Sequence, residues 1–382
     1  MPPAHLPHSA SRRRVIGKWL LVSVIGLLGL TVNAYLKWPV LRYIVHGDND
    51  FIGFYAVAEM AGSADLYDAG AVLRTETPLC EIPRFLPYVR LPFYATLLSP
   101  LRLWRYQHAY WVWQSVCFLA LLGFIWFWPA PRWMTILACC WSVPLFDCFI
   151  VGRDVLLVLV VLAAGLSLFR RGQYLAAGCV LSLCLIKYNL FLPLPLLIVG
   201  KRLWKLGMGF LAGGAVLLAA SFVAGGWNWP LRYLGTLRLP ATTPESGGLP
   251  NLHGLFATQP NSLLWQAIGA VVVLGAAWLV IRRANMTQAF AVTLIAGLLV
   301  SYHAFFGDLF ILVPAALFLV SAPTGDLDLP IGIFLLSPIA YVPYLLPKAP
   351  LPPASIVVGV LLLVAVSVMW KSFRLPAFRN AS

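Results

Sequence analysis

Long apolar segments recur along nearly the whole chain and are separated by short polar or Gly/Pro-containing turns. A helix that crosses a bilayer needs about 20 predominantly apolar residues, and thirteen segments are candidates. They are 15–36, 86–103, 107–128, 133–148, 154–169, 173–187, 189–200, 203–224, 262–281, 286–303, 307–321, 329–346 and 354–370. The pattern predicts an all-α, polytopic integral membrane protein that forms a single domain over residues 1–382.

Small groups of basic residues stand between these segments, and acids are rare there. The groups are Arg12–Arg14, Arg170-Arg171, Lys201-Arg202, Arg282-Arg283 and Lys371 with Arg374. Because basic loops stay on the cytoplasmic side, we expect both termini to be cytoplasmic and residues 37–85 and 225–260 to be two large extracytoplasmic loops. This arrangement predicts about twelve crossings, with 86–103 as the segment that need not cross fully.

Composition agrees with a membrane protein and leaves few other classes open. The chain is 61% hydrophobic and 10% charged, with a mean hydropathy of +0.85. The net charge of +14 is accounted for by the orienting loops, so it predicts membrane lipids and no nucleic acid as partners. The seven cysteines form no CxxC pair and suggest neither a disulfide framework nor a metal site.

Acidic residues concentrate just after the first apolar segment. Only 13 residues are Asp or Glu, and seven of them lie between positions 48 and 81. Carboxylates are costly near a bilayer, so such a cluster suggests proton chemistry at the membrane boundary. Phe51, Phe54, Tyr55 and Ala58 have helical spacing and predict an amphipathic interfacial helix in the 37–85 loop.

Short motifs follow one another in a characteristic order from Asp50 to Leu319. They are Asp50-Phe51, Tyr55, Ala58, Leu66-Tyr67-Asp68, Leu91-Pro92-Phe93, Leu98-Ser99-Pro100-Leu101, Arg170-Arg171-Gly172-Gln173 with Lys187, Asn251-Leu252-His253-Gly254, and Ser301-Tyr302-His303 with Asp308. In this order the chain resembles bacterial glycosyltransferase family 87, within the GT-C superfamily of membrane glycosyltransferases. It departs from the family pattern at Gly152-Arg153-Asp154, where Gly-Gln-Asn is expected, and at Lys187-Tyr188, where Lys-Pro is expected.

The resemblance implies a GT-C-like fold in a bacterial inner membrane. It also implies transfer of a hexosyl group, typically mannosyl, from a polyprenyl-phosphate sugar to a lipid or glycan acceptor. The reaction would take place at the extracytoplasmic face with inversion at the anomeric carbon. No cofactor and no metal are expected. Two other classes stay open: a transporter or flippase of a lipid-linked substrate, and a structural subunit of an envelope-assembly complex.

Glycosyl transfer from a lipid phosphate needs a proton acceptor for the attacking hydroxyl and cations for the departing phosphate. Asp50 is the candidate base, and its alternative role is the N-cap of the helix that begins near Phe51. Lys187 is a candidate phosphate ligand, with snorkelling to the interface as its alternative. Arg153 either reaches the phosphate or forms a salt bridge with Asp154.

His303 is the second catalytic candidate, as a proton relay or a phosphate contact. Asp308 would orient it or bind the acceptor, and the alternative is that both form a buried polar pair between helices. A second set of residues is assigned to acceptor or sugar binding: Asp48, Tyr55, Asn251, His253 and Asp308. Trp227, Trp229 and Tyr233 are expected to form an interfacial belt or to stack on a sugar.

Overall fold

A computed structural model describes residues 8–45, 49–79, 85–239, 242, 248–345 and 352–374. Within these ranges the chain is helical with no strand, as the sequence predicts. The first ten helices are α1 (His8–Val45), α2 (Phe51–Glu59), α3 (Ala69–Glu76), α4 (Pro92–Leu98), α5 (Tyr106–Phe127), α6 (Arg132–Trp141), α7 (Val143–Ile150), α8 (Val155–Arg170), α9 (Tyr174–Ser182) and α10 (Leu194–Gly200).

Nine further helices lie in the rest of the described chain. They are α11 (Trp204–Gly225), α12 (Trp229–Thr236), α13 (Leu252–Phe256), α14 (Ser262–Arg283), α15 (Met286–Val300), α16 (Leu312–Ser321), α17 (Asp328–Leu336), α18 (Val342–Leu345) and α19 (Ala354–Arg374). Short 3-10 segments join several of them: Ala64–Tyr67, Thr77–Leu79, Ser99–Leu103, Leu183–Phe191, Phe306–Ile311 and Pro338–Tyr341.

The number of helices that could cross a membrane is smaller than the sequence pattern predicts. Five described segments are long and apolar enough, namely Ile16–Trp38, Tyr106–Phe127, Tyr174–Phe191, Trp204–Gly225 and Ser262–Arg283. A sixth is the pair α6 and α7, which is bent by 72°, and four further apolar helices have 10–17 residues. The expectation of about twelve crossings is therefore not confirmed.

Several of the thirteen predicted segments are not single long helices. Segment 86–103 is an extended stretch followed by the seven-residue α4 and a 3-10 turn. Segment 189–200 contains the end of a 3-10 segment and the seven-residue α10, and the described part of 329–346 is divided among α17, a 3-10 turn and α18. Hydropathy averaged over a window does not register these breaks, because prolines and turns within apolar sequence leave the average high.

Close helix packing is made possible by glycine. A Cβ on Gly178 would lie 2.1 Å from the carbonyl oxygen of Leu206, and one on Gly209 would lie 2.0 Å from that of Leu175. Helices α9 and α11 are thus in backbone contact, as small residues allow in membrane helix pairs. By contrast, α11 exposes large apolar side chains such as Leu211 and Val223, and a bilayer would cover them.

The helices connect two chemically different ends of the molecule. At one end, which we call the basic end, the turns at 129–131, 170–173, 201–203 and 283–285 meet. Arg170 Nη1 donates to the Pro129 carbonyl over 2.8 Å, and Lys201 Nζ donates to the Ala284 carbonyl. Helices α8 and α15 have one terminus there. Their other termini lead to the turns that contain Asp154 and His303, at what we call the cavity end.

The helix predicted in the first loop exists as α2, but it is not a surface helix. Phe51, Ile52, Ala56 and Val57 are essentially inaccessible, and the ring of Phe51 lies among those of four other aromatic residues. The prediction of an amphipathic helix with one face toward lipid is therefore wrong. This helix belongs to the protein core.

Candidate functional site

A cavity of about 160 Å³ lies at the cavity end, between the start of α2, the extended stretch 85–91 and the turns before α8 and after α15. Seven of its lining residues are Asp, Arg, Lys or His. They are Asp50, Arg90, Arg153, Asp154, Lys187, His303 and Asp308. The chain thus brings residues that are up to 258 positions apart (50 to 308) into one charged pocket.

The turn at 151–154 holds the beginning of α2. The backbone N–H groups of Asp50 and Phe51 both donate to the Val151 carbonyl, over 2.9 and 3.3 Å. Gly152 has a φ of 73°, and a Cβ there would lie 2.9 Å from the Cβ of Phe51. The Asp50 side chain makes no capping hydrogen bond, so its carboxylate is available for other contacts.

Asp50 forms an ion pair with Arg153, through Oδ2 and Nε. Burial lowers the pKa of Arg153, but the neighbouring Asp50 carboxylate raises it, and the net result is above the ordinary value. The other side of the guanidinium lies against Gly307, where a Cβ would be 1.6 Å from Nη1. The absence of a side chain at 307 therefore makes room for Arg153.

The predicted salt bridge between Arg153 and Asp154 is not formed. Asp154 instead accepts two hydrogen bonds from Arg90, over 2.9 Å to Nε and 3.3 Å to Nη2. The two residues are consecutive after a left-handed glycine, so their side chains reach different loops. Arg90 is the site residue that the sequence analysis missed, because 86–103 was assigned to an apolar segment.

Lys187 continues the ion-pair chain into the core. Its Nζ lies 4.0 Å from Asp154 Oδ1 and 2.5 Å from Asp308 Oδ1, and Asp308 Oδ2 also accepts from the Phe305 backbone N–H. The helix is interrupted at Lys187, which has non-helical φ and ψ of −121° and 56°. Snorkelling is therefore the wrong interpretation of this lysine, since it points inward at two carboxylates.

His303 faces the same cavity from the turn after α15. Its Nδ1 contacts the carbonyl oxygen of Thr242, which can only accept, so Nδ1 carries the proton and Nε2 has the free lone pair. Burial lowers the pKa of His303 to about 4, although Asp308 and the Thr242 carbonyl act in the opposite direction. The imidazole is thus neutral at pH 7, and Asp308 binds Lys187 rather than orienting His303.

The other predicted binding residues have different positions. Tyr55 donates to the Trp104 carbonyl. Asn251 is fully buried, where it caps α13 through the Gly254 N–H and donates to the Ser301 carbonyl. His253 contacts Gln266 over 3.4 Å. None of these three lines the cavity, and Asp48 lies outside the described residues.

The three loop aromatics differ from one another. Trp229 and Tyr233 are buried, whereas Trp227 is 85% exposed, so a belt at the membrane surface fits only Trp227. Tyr233 belongs to a tyrosine cluster in which its hydroxyl is 2.7 Å from that of Tyr188. Among the described residues, no group of three His, Cys, Asp or Glu side chains is arranged to hold a metal ion.

The described residues thus form a helical membrane protein in which paired cations and carboxylates surround a cavity at the helix ends. The family model for glycosyltransferase family 87 matches residues 91–305, which is more than half of the chain. The protein therefore belongs to this family and is a glycosyltransferase. The matched range contains Arg153, Lys187 and His303. No curated protein and no solved structure matches the chain.

Proposed function

We propose that this glycosyltransferase moves a hexosyl group, specifically mannosyl, from a polyprenyl-phosphate sugar to a hydroxyl of a lipid or glycan acceptor. The observation that carries the proposal is the arrangement of Arg90, Arg153 and Lys187 with an accessible carboxylate, Asp50, around one cavity at the end of apolar helices. A lipid phosphate lies at the level of the head groups, where helix ends are located.

The cations suit the leaving group. When the bond from the anomeric carbon to the phosphate oxygen breaks, negative charge develops on that oxygen, and preorganised cations stabilise it. Arginine binds phosphate through a planar fork of donors. Three protein cations line the cavity, so we expect the reaction not to require a metal.

Asp50 suits the role of the general base. Its side chain is 24% exposed, whereas those of Asp154 and Asp308 are at most 4% exposed, so Asp50 is the carboxylate that an acceptor hydroxyl can reach. A single displacement assisted by one base inverts the anomeric configuration. The free Nε2 of neutral His303 offers a second proton acceptor or a hydrogen bond to the sugar.

The distribution of charge supports one orientation in the membrane. The basic end, with Arg170 and Lys201, is expected to face the cytoplasm under the positive-inside rule. The cavity end would then face the extracytoplasmic side of a bacterial inner membrane. Sugar transfer would take place there, and the donor would enter laterally from the outer leaflet.

The test is transfer by the purified protein in detergent with radiolabelled polyprenyl-phosphate mannose, polyprenyl-phosphate glucose and candidate acceptor lipids. We expect mannosyl transfer that persists with chelator present, and a product of inverted anomeric configuration by NMR. Asp50→Asn should lower turnover by about 10²–10⁴-fold, as loss of a general base does, while elution stays monodisperse. Asp65→Asn, an exposed acid that does not line the cavity, is the matched control.

Three results would count against the proposal. Full activity of Asp50→Asn would remove the assigned base, and transfer only from a nucleotide sugar would remove the lipid donor. Movement of a lipid-linked sugar across reconstituted vesicles without covalent transfer would favour a flippase. Vesicles with the substrate on one leaflet separate these outcomes, since a transferase yields a new glycolipid and a flippase does not.

A further inference from the structure

The charges around the cavity balance before any substrate is present. Arg90, Arg153 and Lys187 are opposed by Asp50, Asp154 and Asp308. His303 adds nothing, because its pKa of about 4 keeps it neutral at pH 7. A sugar phosphodiester carries one negative charge, so it finds no surplus cation unless one of the carboxylates gives up its partner.

The pair that can be opened is identified by exposure. The side chains of Arg153 and Asp50 are 21% and 24% exposed, compared with 10% for Arg90 and 7% for Lys187. Asp154 is held by two hydrogen bonds from Arg90, and Asp308 is held by Lys187 and the Phe305 N–H. Asp50 is bound to Arg153 through Nε alone, which makes this contact the easiest of the three to replace.

The geometry also indicates which partner moves. The guanidinium of Arg153 lies directly against Gly307, whose carbonyl accepts a bond from Cys148 Sγ over 3.2 Å. That packing restricts movement of the Arg153 guanidinium. Asp50 precedes the first residue of α2, and its side chain makes no capping bond that would hold it.

We propose that the donor phosphate displaces the Asp50 carboxylate from Arg153, so that binding of the donor itself releases the base. This inference rests on the proposed function and deepens it. Once Arg153 Nε no longer occupies Asp50 Oδ2, that oxygen is free to accept the proton of the acceptor hydroxyl when a donor occupies the cavity. The acceptor oxygen then bonds to the anomeric carbon, its proton goes to Asp50, and the phosphate leaves with the electron pair toward Arg153.

The exchange predicts an unusual binding phenotype. If Asp50 competes with phosphate for Arg153, then Asp50→Asn should bind a lipid phosphate more tightly than the wild type although it has lost turnover. A purely supporting role of Asp50 predicts unchanged or weaker binding. The probe is undecaprenyl phosphate, titrated into purified protein in detergent and followed by microscale thermophoresis.

We expect Asp50→Asn to lower the Kd for undecaprenyl phosphate about tenfold, and Asp65→Asn to leave it unchanged. The double variant with Arg153→Gln should lose the tightening, because the cation for which phosphate and carboxylate compete is gone. Asp50→Ser serves as a second removal of the carboxylate if the Asn variant does not elute as a monodisperse peak. Inorganic phosphate, added as a competitor, should displace the lipid at correspondingly lower concentration from the Asn variant.

The possible outcomes separate the two proposals. Equal or weaker binding by both Asp50 variants would overturn the exchange and leave the lipid donor intact, as would tightening that Arg153→Gln does not remove. Tightening seen for the lipid but absent for inorganic phosphate would also overturn it, since the carboxylate competes with the phosphate group and not with the tail. Tight binding without any transfer of sugar would support the exchange and contradict the proposed function. Absence of binding by every variant would remove both.

Discussion

Two sets of ion pairs meet at the cavity, and they differ in exposure. The chain Arg90–Asp154–Lys187–Asp308 is almost completely buried, and Asp154 is shared between two cations. The pair Asp50–Arg153 retains more than a fifth of each side chain exposed. Buried charges are costly unless they are paired, so the first set must stay assembled for the protein to fold. The second set can exchange partners, and chemistry belongs there.

The comparison is tested most severely by removing one carboxylate from each set. Asp154→Asn leaves Arg90 and Lys187 without their shared partner in the core, which should cost about 3–5 kcal/mol. Asp50→Asn breaks a partly solvated pair and should cost about 1 kcal/mol or less. Thermal unfolding followed by size-exclusion chromatography measures the difference. Similar losses of stability in the two variants would mean that the sets are not distinct.

The position of Arg153 can be changed without altering any charge. In Gly307→Ala the new methyl group would overlap Arg153 Nη1, so the guanidinium must move. A misplacement of about 1 Å can lower catalysis about 10²-fold, and we expect a loss of that order in kcat/KM. Gly235→Ala is the matched control, since nothing lies within 4 Å of its added Cβ. An unaffected kcat/KM in Gly307→Ala would show that Arg153 is not held for catalysis.

A smaller loss of stability is expected when Tyr67, which holds the backbone at Arg90 in the buried set, is changed. The Tyr67 hydroxyl donates to the Arg90 carbonyl over 2.7 Å, and Tyr67→Phe leaves that buried carbonyl without this donor. The expected loss of stability is about 1–3 kcal/mol. Tyr35→Phe, at a side chain 80% exposed on α1, is the control and should be neutral. If both variants melt alike, the stretch around Arg90 is held by other contacts.

The smallest effect concerns His303, which lines the same cavity. Its pKa is lowered by burial to about 4, so its ring should stay neutral from pH 8 down to about pH 5. NMR of protein labelled at its six histidines can follow the titration, with His303→Gln to assign the signal. Because the unfolded chain binds that proton at higher pH, the contribution of His303 to stability should decline as the pH falls from 6.5 toward 4. A midpoint near 6.5 would contradict the burial.

The sequence predicted the family and the all-helical class, and both are confirmed. The short motifs that contain Asp50, Lys187 and His303 identified residues that line one cavity. Each motif is short, but their order along the chain is diagnostic. The partners of each charged residue in its ion pair were harder to predict. Arg153 and Asp154 are neighbours in sequence, but the left-handed Gly152 sends them to separate partners. Arg90 was overlooked because the surrounding apolar residues suggested a crossing helix.

The two adjacent residues 153 and 154 have a consequence for the first loop region. Arg153 binds Asp50 and Asp154 binds Arg90, so the segment from residue 50 to residue 90 is anchored at both ends to the same turn before α8. Gly53, Phe54 and the stretch 85–89, near the two ends of this segment, line the cavity. A change in sequence near either end should therefore alter the wall of the charged pocket, whereas the exposed Asp65 lies away from it.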